Sequence, residues 1–173
     1  TGCGIGGDLF AIIWSADKKI LFGLNASGRS PRSLKLDYFE KNGYEFIPSY
    51  GPLPVSVPGC VDGWYEMHDM FGRLPMRDIL QPAITYATEG FPVSEVIAYY
   101  LERNTRALQD YPNIKEVYMP GGKSPAKGEI FKNPLLASTL EKIVKGGRNE
   151  FYKGSIARDI AAFMKKQGGF LTY

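Results

Sequence analysis

A chain of 173 residues is long enough to bury a core of its own and fits one ordinary domain. Its hydrophobic share of 44% and charged share of 23% are ordinary for a soluble globular protein. The net charge is only +3 and its Lys and Arg are interspersed with Asp and Glu, which argues against a nucleic-acid or anionic-lipid partner.

Gly2 to Gly7 reads as a glycine-rich loop. Leu9-Phe10-Ala11-Ile12-Ile13-Trp14 is short, apolar and rich in aromatic and β-branched residues, which predicts a buried strand. Asp17-Lys18-Lys19 is a polar turn, and Ile20-Leu21-Phe22-Gly23-Leu24-Asn25 is a second apolar run. Two such runs across a short polar link predict an antiparallel hairpin, and their burial predicts a central place in a sheet. Ser27 to Arg32 is a polar loop, and Ser33 is placed to cap a short helix through Glu40 that Asn42-Gly43 ends. Pro48 to Pro58 holds four prolines, so Leu53 to Val57 is expected to be extended but to lie at an edge or in an irregular ribbon.

Beyond Gly59 the period becomes helical. Val61, Trp64, Tyr65, His68 and Phe71 recur at three- and four-residue steps, and Gly72 ends the run. Arg77 to Thr88 repeats the pattern, with Ile79, Leu80, Ala83, Ile84 and Ala87 on one face. Ser94 can cap a third helix through Leu108, with Glu95 in its first turn. Residues 111–128 are rich in Pro, Gly and Lys and read as an exposed loop. Pro134 to Val144 predicts a fourth helix stopped by Gly146-Gly147, and Ser155 to Gln167 a fifth with Ile156, Ile160 and Phe163 inward. A hairpin followed mostly by helices makes the class α+β or α/β, with too few strands to close a sheet alone.

Several features resemble chemistry. Gly2-x-Gly4-x-x-Gly7 has the spacing of a dinucleotide fingerprint, but that mechanism needs a helix after the glycines, and a strand-like run follows here. The glycines are better read as allowing a tight turn and a close backbone approach. Thr1 could act as a nucleophile with its own amine as base, yet it stands first only where the numbering starts. His68, the single histidine, is expected to be a packed or boundary residue, and Asp62, Glu66 and Asp69 a solvated acidic edge. Cys3 and Cys60 offer neither a disulfide framework nor metal-ligand spacing, so buried thiols and a cytoplasmic location are favoured. Neither metal nor cofactor is expected, and no apolar run approaches the ~18–20 residues of a membrane span. The chain starts without Met and stops at Gly168-Gly169-Phe170-Leu171-Thr172-Tyr173, which reads as a fragment.

The stretch Asn25-Ala26-Ser27-Gly28-Arg29-Ser30-Pro31 is the candidate binding element. It leaves a strand directly, where loops on a rigid sheet carry function, and offers amide, hydroxyl and guanidinium groups. Arg29 could clamp a carboxylate in bidentate fashion, with Ser27 and Asn25 beside it; a surface turn with a solvated Arg fits the spacing equally well.

Gly4-Ile5-Gly6-Gly7-Asp8-Leu9-Phe10, the hairpin, and Ser56-Val57-Pro58-Gly59-Cys60-Val61-Asp62-Gly63-Trp64 occur in an order that resembles the large chain of γ-glutamyltranspeptidases. Phe71-Gly72-Arg73-Leu74-Pro75, Ile79-Leu80-Gln81-Pro82-Ala83-Ile84 and Glu89-Gly90-Phe91-Pro92-Val93-Ser94 continue the resemblance. So do Pro134-Leu135-Leu136-Ala137-Ser138-Thr139-Leu140 and Phe151-Tyr152-Lys153-Gly154-Ser155-Ile156-Ala157, so that nearly the whole chain is covered.

The resemblance implies an N-terminal-nucleophile hydrolase fold, an αββα sandwich of which residues 1–173 would form part as a hairpin and helical layer. It implies a precursor that cuts itself to free a Thr at the start of a smaller chain, its partner. That Thr would attack the γ-glutamyl amide of glutathione or a related small molecule, and water or an acceptor amine would resolve the acyl-enzyme. No catalytic residue is assigned within the chain, which alone should be inactive. One departure bears on recognition: the family's carboxylate-gripping Arg stands four residues before the loop Pro, and counting back from Pro31 puts Ser27 there, with Arg29 two residues further along. If Arg29 does not take its place, an acylase of glutaryl or cephalosporin type becomes the alternative, and a non-catalytic scaffold homologue a third.

Overall fold

The structure is a computed structural model that describes residues 4–173. It divides into two compact units, one of Leu74–Lys145 and one joining the described residues up to Arg73 with Gly146–Tyr173.

The second of these units opens with the hairpin. Strand β1 (Leu9–Ser15) pairs antiparallel with β2 (Ile20–Ala26), in a register running from Leu9↔Ala26 to Ser15↔Ile20. The expected burial on both faces is not found: Phe10, Ile12 and Trp14 are 67%, 80% and 61% exposed. Among the described residues β1 and β2 pair only with each other, so the central place expected for them finds no flanking strand there. Their other face packs on helix α2 (Cys60–Phe71), where Phe22 meets Phe71 edge-on at 5.2 Å.

Helix α1 (Leu36–Lys41) starts later than expected. Leu34 N–H donates to Pro31 C=O at 3.1 Å in a turn, so Ser33 lies before the helix and its hydroxyl donates to Phe170 C=O at 3.4 Å instead of capping. The proline segment forms no strand over Leu53–Val57, where missing N–H donors leave an irregular path. Helix α2 begins after Gly59 and ends before Gly72, as the period predicts.

In the Leu74–Lys145 unit, helix α3 (Met76–Glu89) buries Leu80, Ile84 and Ala87 but turns Ile79 and Ala83 outward. Two-residue strands β3 (Phe91–Pro92) and β4 (Ile130–Phe131) pair antiparallel, and were too short to show a period. Helix α4 (Glu95–Leu108) is capped by Ser94, whose Oγ accepts from Ile97 N–H at 3.4 Å. The stretch expected as loop contains helix α5 (Ile114–Tyr118) and a 3-10 turn at Pro120–Gly122.

Helix α6 (Pro134–Lys153) is broken at Gly147 (φ +66°, ψ −163°), yet the chain is helical again through Lys153, beyond the predicted stop. Helix α7 (Ser155–Lys166) follows. It buries Ile156 and Met164, while Phe163 is 41% exposed, because the inward row runs 156, 160, 164.

Candidate functional site

The Asn25–Pro31 loop leaves the end of β2 and is seated by its backbone. Asn25 Oδ1 accepts from Ser27 N–H at 2.9 Å, a local turn that uses the Asn amide. Gly28 N–H donates to Asp8 Oδ1 at 2.9 Å, and Val57 N–H donates to Arg29 C=O at 2.9 Å. Pro31 is buried, which anchors the far end.

Close approach explains the glycines around this loop. A Cβ on Gly28 would lie 1.6 Å from Val57 O, and one on Gly59 2.0 Å from Ala26 O. One on Gly63 would lie 2.7 Å from Ala26 Cβ and 2.6 Å from Leu9 Cδ2. Space, not positive φ, is what these positions demand.

The side chains of Asn25, Ser27 and Arg29 all belong to exposed residues. Asn25 is engaged in its turn, whereas the Arg29 guanidinium has no hydrogen bond or ion pair to the described residues. The loop therefore presents a cation that no described residue neutralises, on a constrained backbone, with a hydroxyl two residues away. Such a group can take a carboxylate in bidentate fashion.

Around the start of α2 the structure assembles groups that sequence reading missed. Gly7 N–H turns back to Gly4 C=O at 3.1 Å, and Gly7 C=O accepts from Cys60 N–H at 2.9 Å. The glycine-rich loop thus meets the N-terminus of α2 and is itself followed by a strand, which removes the dinucleotide geometry. Tyr152 places its hydroxyl between Asp62 N–H (2.9 Å, accepted) and Pro58 C=O (2.7 Å, donated). Burial, with the Asp62 carboxylate adding to it, pushes the Tyr152 phenol up to about 12 against the opposing Asp62 N–H and Arg148.

Arg148 pairs with Asp62 and, at 2.6 Å, with Glu66, so these carboxylates are ion-paired instead of forming the expected solvated edge. The hydrogen bond to Glu66 is the main cause holding the Arg148 guanidinium even higher than usual. Burial and then Asp69 raise the Tyr65 phenol. The only sequence signal for Tyr152 was its place in a resembling stretch; nothing local to it announced a partner 90 residues away.

Cys60 is buried. Thr1, Gly2 and Cys3 lie outside the described residues, and with them the Thr1 nucleophile reading, the first glycine of the fingerprint and the state of the Cys3 thiol. Among the described residues no group of three His, Cys, Asp or Glu could hold a metal ion, and no helix is long and apolar enough to cross a membrane.

The family model for γ-glutamyltranspeptidase matches residues 1–173. The chain belongs to the γ-glutamyltranspeptidase family. A glutathione hydrolase-like proenzyme of Bacillus subtilis is 35% identical over 98% of the chain and 32% of its own length. The crystal structure of cephalosporin acylase from Bacillus halodurans superposes with a TM-score of 0.92 at 39% identity, over 98% of this chain and 32% of that one. γ-Glutamyltranspeptidase from Helicobacter pylori gives a TM-score of 0.89 at 30% identity, over 97% of this chain and 49% of that one.

The fold is accordingly α+β and that of an N-terminal-nucleophile hydrolase, of which the hairpin and helices are a part. The chain spans about a third of the length of the B. subtilis γ-glutamyltranspeptidase-family relative. Relatives in this family include hydrolases, acylases and transpeptidases.

Proposed function

We propose that residues 1–173 are the large-chain portion of an enzyme that cleaves or transfers γ-glutamyl groups from glutathione or a related amide. The attacking Thr would come from sequence outside these residues, on a small chain cut from the same precursor. The observation that carries this reading is the Arg29 guanidinium, exposed and without a partner among the described residues, on a loop fixed by the Gly28 and Gly59 approaches. Arg29 grips the donor carboxylate and so binds the donor with its amide carbon toward the nucleophile. The Thr oxygen then bonds to that carbon, the C–N bond breaks, and the amine departs with a proton. Water or a second amine takes the acyl group from Thr.

A second reading, an acylase of glutaryl or cephalosporin-type amides, draws on the 39% identity to cephalosporin acylase and on Ser27 in the position where the family's Arg is expected. The full-length product separates the two. Self-cleavage is followed by mass, and turnover is compared on a γ-glutamyl anilide and the matching glutaryl anilide. Self-cleavage with preference for the γ-glutamyl compound supports the first reading, and preference for the glutaryl compound supports the acylase. A product that neither cuts itself nor turns over either one would be a scaffold homologue, and both readings would fall.

A further inference from the structure

The N-terminus of α2 depends on groups that its own sequence does not supply. Its N-cap is Gly59, which has no side chain to bond the first-turn N–H groups. Any larger residue is excluded, since a Cβ there would stand 2.0 Å from Ala26 O and 3.2 Å from Gly28 N. Distant groups take over the capping. Cys60 N–H is satisfied by Gly7 C=O at 2.9 Å, and Asp62 N–H by the Tyr152 hydroxyl at 2.9 Å. The same hydroxyl donates to Pro58 C=O at 2.7 Å, so one phenol oxygen fastens the backbone on both sides of Gly59.

That backbone is also the seat of the Arg29 loop. Val57, next to Pro58, donates its N–H to Arg29 C=O at 2.9 Å, and its own carbonyl is what a Gly28 Cβ would strike. We infer that Tyr152 is a positioning residue for Arg29, holding Pro58 and Asp62 so that the Val57–Gly59 segment presents the guanidinium in one place. This rests on the proposed role of Arg29 as a carboxylate grip.

Removing the hydroxyl alone leaves the ring packed while stranding one carbonyl and one N–H, the change that costs most for a part-buried pair. Arg148 provides the contrast. It ties the same helices through Asp62 and Glu66 and, among the described residues, bonds neither Pro58 nor the loop.

The experiment uses the full-length, self-processed protein with Tyr152→Phe, Arg148→Met and Arg29→Ala. Amide exchange is read on peptides covering 26–31 and 55–60, beside kcat and KM for a γ-glutamyl anilide. In Tyr152→Phe, exchange in both peptides should rise about tenfold, as expected for a local opening that has lost its tether. KM should rise about two- to tenfold, the worth of one hydrogen bond, with kcat nearly kept. Arg148→Met should lower Tm without either change.

Unchanged exchange in Tyr152→Phe overturns the inference. So does a fall in Tm and kcat with KM intact, the mark of a merely structural role. If Arg29→Ala leaves KM unchanged, the carboxylate grip itself has failed, and the exchange result then decides alone whether Tyr152 positions the loop.

Discussion

At the scale of single residues, the region around Arg29 is governed by what is missing from side chains. Gly28 and Gly59 let two backbone segments approach closer than any Cβ allows, so Gly28→Ala must move the loop or the Val57 segment. Overpacking of this kind costs about 1–3 kcal/mol. Urea unfolding of the full-length protein should show that loss, and an unshifted midpoint would count against the close approach.

Tyr152 adds a dependence on pH. Burial pushes its phenol up to about 12 from the ordinary 10.0, so the neutral form is favoured by folding. The associated stability is complete below pH 10 and is lost as pH climbs toward 12. The stability difference between wild type and Tyr152→Phe should therefore shrink across that window; a constant difference would contradict the burial of the hydroxyl. The polar loop was legible from its composition and its place after a strand. The Tyr152 bridge was not, because its partners are separated from it by 90 and 94 positions and no local pattern encodes them.

At the scale of elements, strong periods are legible in the sequence and short features are not. The hairpin and the helices α2, α3, α4 and α7 lie near their predicted spans, and Ser94 caps as expected. Ser33 does not cap, since the Pro31 turn intervenes, and α5, β3 and β4 are shorter than the window in which a period can appear. Gly146-Gly147 predicts a terminator, and the structure shows a break without a stop. Gly147 leaves helical geometry in a region of φ and ψ almost reserved for glycine, but helix resumes after it. A Cβ at Gly147 would touch nothing within 4 Å, so the penalty of Gly147→Ala is conformational alone. It should destabilise by about 1–3 kcal/mol in chemical denaturation of the full-length protein, and a neutral result would mean that the break is not held.

At the scale of the whole molecule, the hairpin carries an apolar face that these residues leave open. Phe10, Ile12, Trp14 and Leu21 are all exposed there, side by side on one face of the hairpin. The continuous hydrophobicity that suggested burial on both sides thus finds no cover among the described residues. If the rest of the precursor supplies it, the fluorescence that Trp14→Phe removes from the full-length protein should come from the acrylamide-shielded part of the signal. A loss confined to the quencher-accessible part would contradict that.

The molecule's proposed task depends on one charge, and it can be isolated by varying the donor as well as the enzyme. Arg29→Ala in the self-processed protein would be assayed on a γ-glutamyl anilide and on the same donor with its α-carboxylate converted to an amide. A charged hydrogen bond contributes about 1.5–3 kcal/mol, so kcat/KM for the carboxylate donor should fall about 10- to 150-fold, with little change for the amide donor. Equal losses on both donors, or none on either, would contradict a carboxylate grip at Arg29.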